Sequence, residues 1–386
     1  MSINMKDQKF GVEIEFYGIT RFNAARVVQS VVSDDCDVIP YHIQEHRLDT
    51  YRFEDARQRT WKIVSDGSVN TTRGQACELV TPPLHYEDVQ TLQSVVRALS
   101  AAGARADLSC GIHIHIDGSN HDARSIRNLC LICASKQDIM LKALEVPWER
   151  YTEFCRKADA NFINFLKDNR NPSLQQIEDE YYRNYSDQSR TQHYNSSRYH
   201  LVNLHDYFHG HGTVEFRAFN GESKKRTKHL HAGEVKAYID FCLAISAQAI
   251  NNGRCRFSDF DHTNERYTYR TWLVGHKGLR LNGEEFKNTR QHLLGKLEGD
   301  NVYKDREAAL EKKNKKLAES QLQEIRPQVE DIMATVLDMS PEERTATLQQ
   351  LQQLISIPRS AATTAVEAQS TETQQNNTPT NGRRGR

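Results

Sequence analysis

Phe10-Gly-Val-Glu-Ile-Glu-Phe16 puts an apolar residue at every second position and a carboxylate between them. Side chains of a strand alternate between its faces, so Val12, Ile14 and Phe16 point one way and Glu13 and Glu15 the other. Two further stretches repeat this design. In Gly111-Ile-His-Ile-His-Ile-Asp117 three isoleucines oppose His113, His115 and Asp117; in Gly212-Thr-Val-Glu-Phe-Arg-Ala218, Val214 and Phe216 oppose Glu215 and Arg217. If the three strands share one sheet, one face packs on a core and the other collects carboxylates, imidazoles and a guanidinium. Such a face can hold divalent cations and a polyanion. The plainer reading is the wet face of an antiparallel sheet. Acid-acid, His-His and acid-Arg pairs argue against it, because like charges two residues apart on one face repel unless something positive lies between them.

The chain has 386 residues, enough for one large or two moderate domains. Lys plus Arg and Asp plus Glu both number 51, so no global field favours nucleic acid or an anionic membrane, and local charge must carry any anion binding. The eight cysteines are scattered, the first eight residues are polar and no apolar run is long enough to span a bilayer. A soluble, reducing, cytoplasmic setting is expected. Cys130 and Cys133 sit in an apolar helical run with no second pair nearby, and read as small core residues.

Strand-like and helix-like segments alternate over residues 10 to about 250, with helices expected at 23–32, 86–102, 123–144, 174–181 and 229–250. Residues 251–300 are rich in Gly, Asn, Arg and Tyr and read as a loop-rich extension, closing a first domain at 1–300. A helical segment is expected over 301–357, with one charged helix at 304–325 and a second opened by Ser340 as N-cap, Pro341 and a capping-box Glu343. The stripe Leu348, Leu351, Leu354 and Ile355 suits a docking face for a protein partner. Residues 358–386 are too polar to bury a core and are expected to be a disordered tail.

The ordered series Gly11-Val-Glu-Ile-Glu-Phe16, Trp61 with Asp66-Gly-Ser68, Glu78-Leu-Val-Thr-Pro-Pro-Leu84, Gly111-Ile-His-Ile-His115, Arg198 through Asn203, and Thr213-Val-Glu-Phe-Arg217 resembles the amidoligase family over residues 10 to about 245. Those proteins are similar to glutamine synthetase and glutamate-cysteine ligase, within the carboxylate-amine ligases. The resemblance implies an α+β fold: a curved antiparallel sheet with helices on its convex side, like the glutamine synthetase catalytic domain. It also implies ATP and Mg²⁺ or Mn²⁺ as cofactors, and carboxylate-bearing and amine-bearing substrates, small molecules or peptides. Carried over by position, Glu13, Glu15, His113 and Glu215 are the metal ligands, with Glu78 a further acidic ligand.

The residues support that chemistry. Joining a carboxylate to an amine in water is uphill, so the carboxylate must be activated, and hard cations on rigid strand carboxylates let two anions meet. His113 and His115 leave a choice among metal ligand, general base and donor to phosphate. Mg²⁺ prefers oxygen, so the favoured assignment puts His113 on metal and His115 on nucleotide or substrate. For Arg217 the favoured assignment is a clamp on a phosphoryl group or substrate carboxylate, the plainer reading a structural ion pair with Glu215. Arg198 and Asn203 are assigned to phosphate and to a substrate amide or carboxylate, although a plain helix or strand surface also explains them. The residues of Asp66-Gly-Ser68 alone read as a tight turn; the resemblance implies a substrate-facing loop there, with Asp66 receiving the amine's positive charge. Thr81-Pro82-Pro83 reads as structural, and His209-Gly-His-Gly212 as a mobile turn. No P-loop, no strand-linked Gly-x-Gly-x-x-Gly and no His-Glu-x-x-His is present, so ATP use rests on the resemblance and the acidic face. The alternatives are a metal-dependent hydrolase built on the His-x-His strand and a non-catalytic interaction module.

Overall fold

A computed structural model describes residues 2–33, 41–45, 48–69, 71, 75–221 and 228–355. The chain divides into two units, Met1–Asp305 and Arg306–Arg386. The first is α+β. Among the described residues its eight strands are β1 (Phe10–Phe16), β2 (Tyr41–Glu45), β3 (Leu48–Glu54), β4 (Thr60–Val64), β5 (Cys77–Val80), β6 (Gly111–Asp117), β7 (Val202–Asn203) and β8 (Thr213–Asn220). They form one open sheet in the order β2-β3-β4-β5-β1-β6-β8-β7, every pairing antiparallel.

The three stretches with alternating faces are therefore direct neighbours, β1, β6 and β8. Their apolar sets are buried: Val12, Ile14, Phe16, Ile112, Ile114, Ile116, Val214 and Phe216 are each at most 3% exposed. Helices Arg21–Val32 and Ala232–Asn251 pack on this face, the first on β3 and β4 and the second on β6; Val89–Ala101 and Ala123–Ala134 pack on Ala232–Asn251 in turn. At roughly 1.5–3 kcal/mol for each large apolar side chain fully buried, this face outweighs the repulsion stored on the other.

Register carries the site. Glu13 stands opposite Val80 on β5 and His113 on β6, and Glu15 stands opposite Glu78. His115 lies between Gly11 and Glu215, and Glu215 lies opposite Asn203. Between Ile112 and Ile114 the partner on β8 jumps from Phe219 to Phe216, a β-bulge. The extra residue lets Phe216 and Phe219, three apart, reach the same apolar face. There Phe219 stacks on Tyr238 with ring centroids 4.3 Å apart.

Several expected elements differ. Residues 251–300 hold two helices, Glu265–Val274 and Lys287–Leu294, rather than loop alone. Burial of Tyr269, Trp272, Leu273, Leu293 and Leu294 overrides the weak periodicity there. The single helix expected over 123–144 is two, Ala123–Ala134 and Gln137–Ala143, because Lys136 leaves the helical conformation (φ −128°, ψ 6°). Cys130 and Cys133 are buried, and burial pushes the Cys133 thiol up to about 12.

In the second unit the charged helix runs over Arg306–Leu337, through Pro327 and beyond the expected end at residue 325. The second helix is Pro341–Ile355, with the expected capping box: the Glu343 backbone N–H donates to Ser340 Oγ (3.3 Å) and the Ser340 N–H to Glu343 Oε2 (3.0 Å). The side chains of residues 351 and 353–355 and the tail at 358–386 lie outside the described residues. No described helix is long and apolar enough to cross a membrane.

Candidate active site

The polar face of β5, β1, β6 and β8 brings Glu78, Glu13, Glu15, His113, His115 and Glu215 together, and the turn after β4 adds Asp66. Three sets have ligand atoms within 4.8 Å of one another: Glu15, Asp66 and Glu78; Glu13, Glu78 and His113; Glu13, His115 and Glu215. Glu78 and Glu13 each belong to two sets, so the three form a continuous row across the strands. The donors are mostly carboxylate oxygens with one imidazole at most per set, a composition that fits Mg²⁺ or Mn²⁺.

His113 Nδ1 lies 3.0 Å from Glu13 Oε2 and 3.5 Å from Glu215 Oε1. Its Nε2 faces Arg150 Nη2 at 3.4 Å. Arginine only donates, so the network assigns the ring proton to Nδ1, which donates to Glu13. His115 Nδ1 lies 2.9 Å from Thr213 Oγ1, while its buried Nε2 has no hydrogen-bond partner among the described residues and stands 3.4 Å from Glu13 Oε1 and 3.9 Å from Glu215 Oε1. A buried ring nitrogen between two carboxylates suits a cation or a proton.

The charges are poised accordingly. Burial, then the charges of Glu13, Glu15 and Asp66, hold the Glu78 carboxyl well above the usual range. Burial alone would raise Glu13 too, but the His115 and His113 imidazoles outweigh it and hold Glu13 well below. Burial works against a charged His115, yet Glu13 and Glu215 hold it well above its ordinary value. Glu215 is lowered despite burial by Arg217, His115 and His113. The shifts run in opposite directions for neighbouring groups, Glu78 and His115 up and Glu13 and Glu215 down, as expected where carboxylates and imidazoles crowd together.

Arg217 pairs with Glu215. Its Nη1 donates to Glu215 Oε1 at 2.5 Å, and Asn203 Nδ2 donates to Glu215 Oε2 at 2.5 Å. Asn203 Oδ1 also accepts from the His205 N–H (2.8 Å), so Asn203 anchors Glu215 and the start of the next helix. Arg198 is engaged one step away: it donates to the His193 carbonyl (3.2 Å), and Arg198 and Arg217 each stand 5.9 Å from the Tyr199 ring centroid. Asp66 accepts from the Ser68 N–H at 2.6 Å, the turn expected of it, while its carboxylate faces Glu15 and Glu78.

Sequence reasoning missed four participants. Arg150, only 4% exposed, sits beside His113 and is attracted to Glu15. Asp206 receives the Thr213 hydroxyl and the His211 ring, and contacts His115 Nδ1 at 3.6 Å. His211 therefore belongs to a held turn at the rim of the site. Lys62 of β4, paired with Val80 across the ladder, shares with Glu13, His115 and His211 the lining of a cavity of about 660 Å³ floored by Gly11 and walled by Pro82 and Pro83. Thr81, as expected, is structural: its hydroxyl accepts from the Val12 N–H at 2.9 Å. Strand alternation could have flagged Lys62; nothing in the local sequence marks Arg150 or Asp206.

These features define an α+β protein whose sheet presents a preformed row of metal-grade ligands beside a substrate-sized cavity. A family model described as "Putative amidoligase enzyme" matches residues 6–246. The chain belongs to this amidoligase family, which supports an amide-bond-forming ligase. No curated protein matches the chain.

Proposed function

We propose that the protein is an ATP-dependent carboxylate-amine ligase that forms an amide through an acyl phosphate. The observation that carries this reading is the row of three overlapping ligand sets sharing Glu13 and Glu78. Mg²⁺ or Mn²⁺ held there would neutralise phosphate charge, while ATP would supply the phosphoryl group that activates the acid. Glu13, Glu15, Glu78 and Glu215 would hold the ions, with His113 or His115 completing a set. Arg217 would stay on Glu215 and stabilise charge that gathers beside it. His115, fixed through Thr213 and Asp206, is placed to hold or release a proton at Nε2. The cavity bordered by Lys62, Glu13 and His115 would take the carboxylate-bearing or amine-bearing substrate. The glutamine synthetase-like curvature of the sheet and a cytoplasmic setting belong to this reading. So does a partner-docking role for the helices beyond residue 305.

A zinc hydrolase using both imidazoles is supported less, because His113 and His115 fall in different ligand sets. The test is mass spectrometry of the purified protein with Mg²⁺, ATP and panels of acids and amines. A product lighter than its two reactants by one water, with ADP released only when both are present, supports the ligase. Stoichiometric bound zinc with no ATP-dependent product supports the hydrolase.

A further inference from the structure

A second cavity, of about 710 Å³, lies in the helical layer and shares no lining residue with the strand-borne cluster. Five of its lining residues are cations, Arg127, Lys167, Arg170, Arg254 and Arg256, and none is a carboxylate. The chain as a whole is neutral. This concentration of charge is therefore local and does not follow from a basic composition. Among the described residues Lys167, Arg170, Arg254 and Arg256 make no ion pair; a lone hydrogen bond joins Lys167 to Asn164 at 3.5 Å. Burial, and after it the charges of Arg254 and Arg170, hold the Arg127 guanidinium below its ordinary range.

The backbone that presents these charges is fixed. Asn128, fully buried, donates through Nδ2 to the carbonyls of Ala249, Asn252 and Gly253 and accepts from the Cys255 N–H at 2.9 Å. Arg127 donates to the Cys255 carbonyl at 3.1 Å, and Arg124 to the carbonyls of Ile250 and Gly253 at 3.2 Å each. The segment after helix Ala232–Asn251 is thus clamped from beneath, while Arg254 and Arg256 remain exposed. Arg127 Nε also ties down the end of helix Ala160–Asp168 through the carbonyls of Leu166 (2.8 Å) and Asn169 (2.9 Å), next to Lys167 and Arg170. Holding like charges together costs folding free energy that a bound anion would return.

We propose that this pocket binds a small ligand carrying two or more phosphate groups, a nucleoside polyphosphate or an inorganic polyphosphate. The guanidinium forks of Arg170, Arg254 and Arg256 match phosphate oxygens two at a time, with Arg127 held beneath them by its backbone bonds, where a single carboxylate would leave most of the forks unmatched. The volume is that of a small-molecule site, and the cations converge on one pocket where a nucleic-acid strand would need a stripe. Phe257 lines the same pocket, with the Lys167 ammonium 4.0 Å from its ring centroid.

The test uses the full chain in EDTA at low salt, so that metal-dependent binding at the acidic cluster is silent. Calorimetric titration with inorganic tripolyphosphate is expected to give one site. Substituting Arg254→Ala with Arg256→Ala should weaken that site about tenfold or more without lowering the ligand-free melting temperature, since neither side chain braces the loop and two crowded like charges are removed. Glu13→Gln should bind tripolyphosphate as the natural chain does. ATP binding tighter than tripolyphosphate identifies the nucleotide as the source; equal binding identifies the polyphosphate alone. Absence of tripolyphosphate binding, equal affinity in the double variant, or tighter binding of a single-stranded oligonucleotide overturns the proposal. If the double variant unfolds, Arg170→Ala alone must weaken binding severalfold, and unchanged affinity there counts against the site equally.

Discussion

The guanidinium of Arg150 fills the space that a side chain at residue 111 would need: a Cβ on Gly111 would stand 1.9 Å from Arg150 Nη2. The same glycine donates its backbone N–H to Glu15 Oε2 at 2.5 Å. One residue at the start of β6 thus places both a buried cation and a candidate metal ligand. Gly111→Ala should destabilise the protein by about 1–3 kcal/mol through overpacking, and Arg150→Met should relieve most of that cost in the double variant. Denaturant unfolding of the four proteins measures the coupling. Strict additivity would show that the two residues do not compete for that volume.

Glu78 separates fold from function. Its carboxyl is forced up by burial and by Glu13, Glu15 and Asp66, so its charge works against the metal-free fold. Glu78→Gln should raise the melting temperature of the metal-free protein by a few degrees, roughly 1 kcal/mol, while weakening Mn²⁺ binding. A fall in metal-free stability would mean that Glu78 is held by partners, not crowded by rivals.

Metal binding should release protons. Glu78 and His115 both sit above their ordinary values, so each holds its proton more tightly than a free group does, and a cation must compete with that proton. Affinity for Mn²⁺ therefore rises with pH, and calorimetry in buffers of different ionisation enthalpy should show net proton release. Proton uptake, or affinity independent of pH, would contradict this arrangement of charges.

Glu13 is the cleaner of the central acids to test. Glu215 is gripped by Arg217 and Asn203, and Glu215→Gln strands a buried guanidinium at a cost of about 3–5 kcal/mol. Glu13, whose side chain is 27% exposed, has no arginine partner among the described ion pairs. Glu13→Gln should keep the fold by circular dichroism and lower metal-dependent turnover by on the order of 10²-fold or more. Near-normal turnover would remove Glu13 from the site.

The polar and apolar faces were legible because strand period two is written directly in β1, β6 and β8, and because antiparallel neighbours with matched faces place their acids and imidazoles together. The grouping of Glu13, Glu15, Glu78, His113, His115 and Glu215 follows from that pattern. Arg150 was not legible: it reaches His113 from a helix 37 positions along the chain, within a segment of no periodicity. Asp206 joins the site through Thr213, His211 and His115, from the short helix His205–His209. The bulge on β8 was hidden because Phe216 and Phe219 break the alternation that was being read. The helices after residue 264 were missed because their stability lies in Tyr269, Trp272 and Leu273 packing on residues far away in sequence.

The most direct test of the central claim labels the carboxylate oxygens of the acid substrate with ¹⁸O and follows them through one turnover with ATP, Mg²⁺ and the amine. Activation as an acyl phosphate predicts one labelled oxygen in the phosphate released and an amide one water lighter than its reactants. Unlabelled phosphate alongside amide formation, or amide formation without ADP, would contradict it.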